Sequence, residues 1–434
     1  MTTIFSTISS PFKSSVSTIR ISGSQTIECL RSLGFKGTPQ HQKISFQKIY
    51  HPQTRELIDE VLISFFKSPQ SFTGEDVAEI SVHASQFIIK KIFEILSEQQ
   101  NVRLAEAGEF SKRAFLNGKM DLVQAEAIPD LIACETSAQH KQALSQLAGK
   151  LGKIYEDWRV KLIEISARIE AAIDFPDEDL PQNIIDKVEA DVKNLSAEIA
   201  LHLNDKKIGQ KIKNGLSLAI IGAPNVGKSS LINFLAESEV AIVSEIAGTT
   251  RDIVETHLSI AGVPVKISDT AGLRETDDKI EAEGIRRALQ KAAAADIKIF
   301  LVDAANPILR EDLIDENTIV VINKVDLLQK NSAFQNFTNI SLTNNFNTSE
   351  LIQKLEEKIL EIVPSINSPL ITQERYRVSL AKTVTNLESF SLEKNIELAA
   401  EDLRMAAREL GKITGKVDIE NLLDVIFSSF CIGK

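Results

Sequence analysis

Apolar residues recur along this chain in two rhythms, one of period two and one of three to four. STIRISG (17–23), ISFQKIY (44–50) and DEVLISFF (59–66) alternate or run apolar, as strands do. HASQFIIKKIFEILSEQ (83–99) has helical spacing instead, which predicts Phe87, Ile88, Ile92 and Ile95 on one side. Between them, SFTGEDVAEISVH (71–83) opens with turn residues and then alternates. Residues 1–115 thus read as mixed α/β.

The rhythm then becomes helical. In AEAGEFSKRAFLNGKMDLVQAEAIPDLI, Gly108-Glu109 resembles a helix entry and Asn117-Gly118-Lys119 a break. Leu144, Leu147, Leu151, Ile154, Trp158, Leu162, Ile165 and Ile169 recur at steps of three and four, which predicts one long helix with a single stripe. Proline and mutually repelling carboxylates in DFPDED (174–179) should stop it. NIIDKVEADVKNLSAEIALHL (183–203) predicts another helix, and KKIGQKIKNG (206–215) a basic linker. That linker is either a solvated hinge or an RNA contact. Beyond it, strands at 216–222, 263–268, 297–303 and 318–322 alternate with helical stretches, the order of a parallel α/β sheet.

Length and charge narrow the picture. A chain of 434 residues has room for about two to four domains. Its net charge of −11 argues against a mainly electrostatic nucleic-acid binder. Cys29, Cys134 and Cys431 form no C-x-x-C pair, so neither a disulfide scaffold nor a cysteine metal site is expected. No apolar run approaches the ~20 residues of a membrane span. MTTIFSTISSPFK lacks the order of a secretory signal, so the expected location is cytoplasmic, without a membrane.

Candidate chemistry begins where the strand at 216 meets Gly222-x-x-x-x-Gly227-Lys228-Ser229 and an amphipathic segment. Strand, glycine loop and helix are the context of a phosphate-binding loop. Backbone N–H groups over Asn225, Val226, Gly227, Lys228, Ser229 and Ser230 would face phosphates, Lys228 would reach the β/γ oxygens, and Ser229 would ligate Mg²⁺. Asp269-Thr270-Ala271-Gly272 follows a second strand, its aspartate placed to hold Mg²⁺ through water and its glycine to let the backbone approach the γ-phosphate. Thr250, in GTTRD (248–252), can complete the metal shell. Asn323-Lys324-Val325-Asp326 follows a further strand, where a carboxylate can accept both the N1–H and the 2-amino group of guanine. Adenine lacks that donor pair, so the nucleotide is GTP. The position after the DxxG motif, where many related enzymes place a water-orienting glutamine, is Leu273. A monovalent cation held by Asn225 and the oxygens of SEIAGTT would supply compensating charge, and Glu275, Glu281 and Glu283 are open candidates to position water. Upstream, Glu75, Asp76 and Glu79 crowd three carboxylates into five residues, read either as a solvated edge or as ligand recognition on a loop.

RISG (20–23), SFTGEDV (71–77), GEFSKRAFLNGKMDLVQAEAI (108–128), AAIDFPDED (171–179) and FSSFCIGK (427–434) surround these motifs. Together they resemble the MnmE (TrmE) family of tRNA modification GTPases nearly end to end. The resemblance implies α/β plus all-α architecture: an N-terminal mixed α/β domain at 1–117 for tetrahydrofolate binding and dimerisation, a discontinuous helical domain at 118–214 plus 367–434, and a Ras-like GTPase domain inserted at 215–366. It implies a K⁺-dependent homodimer with an FAD-containing, GidA-like partner subunit in a heterotetramer. That complex would add a carboxymethylaminomethyl or aminomethyl group at carbon 5 of a tRNA wobble uridine, the one-carbon unit coming from a 5-formyl- or methylene-tetrahydrofolate. Residue by residue, Glu281 matches the water-positioning glutamate, and Asn225, Ser244, Ile246 and Thr249 the potassium loop, with Lys228 and Thr249 at the reaction centre. Ser341 matches the last guanine-contacting motif, Arg20, Glu79, Lys119 and Lys434 the folate contacts, and Cys431 the tail cysteine, read either as reactive or as a small buried hydrophobe. The chain departs from the family at SSPFKSSVST and His83-Ala84-Ser85, where glycines are usual, and at Ser341-Leu342-Thr343, which replaces Ser-Ala-Lys. A regulatory GTPase that binds ribosomal RNA or an assembly partner and uses GTP only as a switch is the alternative reading, though such a switch has no need of the outer blocks.

Overall fold

The alternating segments near the N-terminus form six strands of one sheet: β1 (Thr3–Thr7), β2 (Val16–Ser22), β3 (Ile44–Tyr50), β4 (Leu57–Phe66), β5 (Val77–His83) and β6 (Val102–Leu104). In this computed structural model, residues 2–10, 14–174, 182–238, 256–268, 290, 292–328, 334, 337–364, 368–393, 395–417, 420–428, 430–431 and 433 are described. The strand order is β3-β4-β5-β2-β1-β6, antiparallel except for the β1–β6 pair. Ile19, Ile21, Val61, Ile63, Ile80 and Val82 share a buried cluster with Leu30 of α1 (Thr26–Ser32) and with Ile92, Ile95 and Leu96 of α2 (Gln86–Ser97). Each such side chain removed from water contributes roughly 1.5–3 kcal/mol. Phe87 departs from expectation and is 68% exposed. At 3.6 residues per turn it lies more than about a third of a turn from the centre of the stripe set by Ile92, Ile95 and Leu96.

Helices α3 (Glu109–Leu116), α4 (Leu122–Ile132), α5 (Ser137–Leu147), α6 (Lys150–Asp174), α7 (Gln182–Leu203) and α8 (Ile208–Asn214) follow. Two expectations change here. The single helix through Leu144 and Ile169 is two, because Gly149 takes a left-handed φ of +76° that an α-helix cannot continue through. The basic linker at 206–215 is largely helical, and two of its lysines are paired: Lys211 with Asp296 at 2.9 Å and Lys213 with Asp130 at 2.8 Å.

The second sheet contains β7 (Leu216–Ile221), β8 (Thr256–Ile260), β9 (Val263–Ser268), β10 (Ile297–Asp303), β11 (Thr318–Asn323) and β12 (Thr338–Asn339), in the order β12-β11-β10-β7-β9-β8. All neighbours are parallel but β8–β9, a hairpin that makes the sheet mixed. Helices α9 (Lys228–Glu237) and α10 (Thr348–Ile362) bury Leu231, Leu235, Leu351, Leu355 and Ile359 against Leu218, Ile220, Ile299 and Val321. The chain closes with α11 (Glu374–Ser389), α12 (Ile396–Thr414) and α13 (Glu420–Ser428).

These elements form two compact units. One contains Met1–Pro129, Gly152–Asp177 and Glu393–Lys434; the other contains Asp130–Leu151 and Glu178–Leu392. Among the described residues, no helix is long and apolar enough to cross a membrane.

Candidate functional site

The glycine loop joins β7 to α9 at the carboxyl end of a parallel strand, the edge at which open α/β sheets bind their ligands. Two of its glycines are there for space. A Cβ on Gly222 would collide with the Leu301 carbonyl, and one on Gly227, at φ +104°, with the Asn323 side-chain amide. Asn225 adopts φ +62°, a left-handed conformation that asparagine tolerates better than most residues. Lys228 Nζ donates to the carbonyls of Gly222 at 2.9 Å and Ala223 at 3.0 Å, within the loop it is expected to serve. Ser229 and Ser230 are exposed in the first turn of α9, whose N–H groups have no partner within the helix.

The Asn323-Lys324-Val325-Asp326 motif stands at the end of β11. Asn323 is 3% exposed; its Nδ2 donates to the Val226 carbonyl at 2.8 Å, and its Oδ1 accepts the Leu342 N–H at 3.3 Å. Lys324 Nζ donates to the Asn225 carbonyl at 2.7 Å and to Asp303 Oδ2 at 2.6 Å. Burial alone would raise the Asp303 carboxyl, but Lys324 and the N–H groups of Ala305 and Asn306 outweigh it and hold it low. Asp326 is exposed in the short 3-10 turn Val325–Leu327 that follows. Ser341 is buried, with its N–H donating to the Phe346 carbonyl at 3.1 Å. Asn225, Val226, Gly227, Asn323 and Lys324, drawn from two separated motifs, are thereby in direct contact. Ser244, Ile246, Thr249, Thr250, Asp269, Thr270, Ala271, Gly272, Leu273, Glu275, Glu281 and Glu283 lie outside the described residues.

The other unit assembles a different site. Arg20 on β2 stands opposite Glu79 on β5 and donates to its Oε1 from Nε at 2.9 Å and from a terminal nitrogen at 2.8 Å. Its guanidinium lies 4.9 Å from the Phe72 ring centroid and 5.4 Å from that of Phe110. Lys119 Nζ donates to the Pro69 carbonyl at 2.9 Å, so Arg20 and Lys119 both touch the 69–76 loop. The three crowded carboxylates are all partnered. Glu75 accepts Arg113 at 3.0 and 3.1 Å and the Ser22 hydroxyl at 2.7 Å, and Asp76 accepts the Ser68 N–H at 2.8 Å. Arg113 also donates to Glu109 at 2.9 Å, and Glu109 accepts two bonds from Arg103, at 2.8 and 2.7 Å. Burial pushes the Glu109 carboxyl up, but Arg103, the Glu106 N–H and Arg113 together bring it below its ordinary value.

The tail returns to this unit: the Cys431 carbonyl accepts the Gly108 N–H at 3.4 Å, and a Cβ on Gly433 would collide with the Thr7 carbonyl. Cys431 is exposed, so the buried-hydrophobe reading of it falls, while Lys434 lies outside the described residues. Sequence reasoning missed Arg113, Glu109 and Asp303. The Glu109–Arg113 spacing of four was a helical ion-pair signal in plain view. The bonds to Glu75 and Lys324 cross long stretches of chain and carry no local signature.

A family model of the MnmE helical domain matches residues 122–431, and one of the N-terminus of the GTP-binding protein TrmE matches residues 3–119. The chain is 45% identical over 445 residues to the tRNA modification GTPase MnmE of Rickettsia akari (strain Hartford), covering 100% of both. It is 46% identical over 446 residues to that of Rickettsia bellii (strain RML369-C), again covering 100% of both. Among solved structures, the G domain of the T. maritima FeoB iron transporter is similar at 23% identity over 34% of this chain and 98% of that one. The TM-score of that match is 0.26.

Proposed function

The chain belongs to the MnmE family of tRNA modification GTPases, and from that premise we propose that it is the K⁺-dependent, GTP-hydrolysing subunit of a complex that modifies carbon 5 of the wobble uridine in certain tRNAs. The group added is carboxymethylaminomethyl or aminomethyl, its one-carbon unit carried by a tetrahydrofolate and its redox chemistry by FAD on a GidA-like partner. The observation that carries this reading is one chain in which a phosphate loop braced by Asn323 and Lys324 accompanies an Arg20–Glu79 site in a separate unit.

The residues present suit the expected groups. Exposed Ser229 offers a hydroxyl for Mg²⁺, with Thr250 and Asp269 through water assigned beside it, and exposed Asn225 suits K⁺ together with Ser244, Ile246 and Thr249. These cations, when bound, supply positive charge against the phosphate oxygens. Within the chain, loop N–H groups orient the phosphates, Lys228 moves from carbonyls to phosphate, Asp326 selects guanine, and Glu281 positions the attacking water. Glu79 spends only Oε1 on Arg20 among the described residues, which leaves Oε2 for a pterin amide; Lys119 and Lys434 suit an anionic folate. We assign residues 1–117, 118–214 plus 367–434, and 215–366 as the N-terminal, helical and GTPase domains. The homodimer is assigned to the N-terminal domain. Ile44, Phe46 and Leu62, 70%, 61% and 48% exposed, share the open face of the sheet with Arg20 and Glu79, which supports that choice. The pairing of Lys211 and Lys213 with carboxylates weighs against the ribosomal-RNA alternative.

Mass spectrometry of tRNA from a deletion strain tests the central proposal. Loss of the modified wobble uridine is expected, and unchanged levels would overturn it. Glu281→Ala should abolish turnover while GTP still binds, and turnover should be faster in potassium than in sodium; equal rates would remove the cation from the account.

A further inference from the structure

We propose that Asp303 is a positioning residue of the guanine site, fixing Lys324 so that one ammonium ties the guanine-reading turn to the phosphate loop. The inference rests on the guanine-nucleotide reading of those two motifs. Asp303 belongs to neither. It is the last residue of β10, directly across the parallel register from Asn323, and the next residue donates its N–H to the Asn323 carbonyl at 2.9 Å.

Both oxygens of Asp303 are committed. Oδ1 accepts the Ala305 N–H at 2.9 Å, which locks the side chain over its own turn. Oδ2 accepts Lys324 Nζ at 2.6 Å, and the same nitrogen donates to the Asn225 carbonyl at 2.7 Å. The Asp303 and Lys324 side chains are 19% and 31% exposed, so water screens this pair less than it screens an open surface pair. A lysine stem has four rotatable carbons and a point charge, and it takes no fixed direction unless its donors are occupied in a set geometry. Asp303 supplies that geometry. Lys324 itself stands at φ +64°, so the turn places its stem and the carboxylate aims its head. The bond to the Asn225 carbonyl joins this turn to the backbone of the phosphate loop.

The test uses the full-length protein. Asp303→Asn keeps an oxygen for the Ala305 N–H but removes the charge that holds Lys324. Titration with fluorescent GDP should show affinity about tenfold weaker, as loss of one charge-assisted bond implies. KM for GTP should rise in parallel, with kcat at saturating GTP within about twofold. Lys324→Met should weaken binding at least as much, and the double variant should be no weaker than Lys324→Met. Wild-type affinity in Asp303→Asn beside a weakened Lys324→Met would overturn the inference, as would multiplicative losses in the double variant or a fall in kcat alone. Wild-type affinity in Lys324→Met would instead overturn the guanine reading beneath it. Should Asp303→Asn fail to fold, Asp303→Ser, which also keeps a turn acceptor, is held to the same outcomes.

Discussion

The two candidate sites are built by opposite means. In the second unit the phosphate loop is shaped by backbone: two glycines that admit close neighbours, one left-handed asparagine and a helix start, with side chains from β11 as braces. In the first unit the site is shaped by side-chain charge, a chain of ion pairs running Arg103–Glu109–Arg113–Glu75 behind the Arg20–Glu79 pair. A backbone cradle is a local property and survives the loss of a single side chain. A buried ion-pair chain is a collective one, because each member left alone is an uncompensated charge. The two should therefore fail differently, the first unit in stability and the second in ligand affinity.

The largest effect is expected from Arg113→Ala. Arg113 is 7% exposed and its partners Glu75 and Glu109 are 14% and 10% exposed; Glu109 keeps Arg103, but Glu75 would be left without its cation, at a cost of about 3–5 kcal/mol. Trp158, the chain's one tryptophan, is buried in the same unit, and its fluorescence during urea unfolding reports the loss. An unchanged midpoint would mean that the network is not what holds this site. Gly227→Ala should do the reverse. The added methyl meets Asn323 and a strained φ, so GDP affinity falls roughly a hundredfold or more, while the Trp158 transition stays where it was. A shift in that transition would erase the distinction between the sites.

Asp326→Asn sharpens the contrast within the second unit. An amide offers one donor where the carboxylate accepts twice, so GTP binding should weaken about tenfold to a hundredfold. Xanthosine triphosphate, which carries an oxygen where guanine has the amino group, should lose less; competition titration gives the ratio, and equal losses would deny Asp326 its role.

The smallest effect is in pH. Glu109 sits below its ordinary value of 4.5 in the folded state, so its contribution is complete above 4.5 and is lost as pH falls through the lower folded value. Acidification below 4.5 should lower the stability of the first unit more in the wild type than in Glu109→Gln. Parallel curves for the two proteins would remove that linkage.

Much of the nucleotide site could be read along the chain. Glycine spacing, the lysine and serine that follow, and motifs at strand ends are short-range patterns, because backbone conformation and helix starts are set within a few residues. The fold class was legible for a similar reason, since strands and helices have periods of 2 and 3.6. Where the structure differs, the cause lies in conformation or in distance. Gly149 splits a helix whose apolar spacing runs on unbroken, and Lys211 and Lys213 found carboxylates 85 and 83 residues away from themselves.

The sequence by itself determined that a strand, a glycine loop with Lys228 and Ser229, and a helix run in that order from Leu216, and that mixed α/β, helical and parallel α/β stretches succeed one another. Only the tertiary structure decided that Glu75, Asp76 and Glu79 are paired rather than solvated, that Cys431 is exposed, and that Asp303 grips Lys324. Periodicity and loop chemistry are encoded by neighbours in the chain. An ion pair depends on which strand lies beside which, and strand order is a property of the whole sheet.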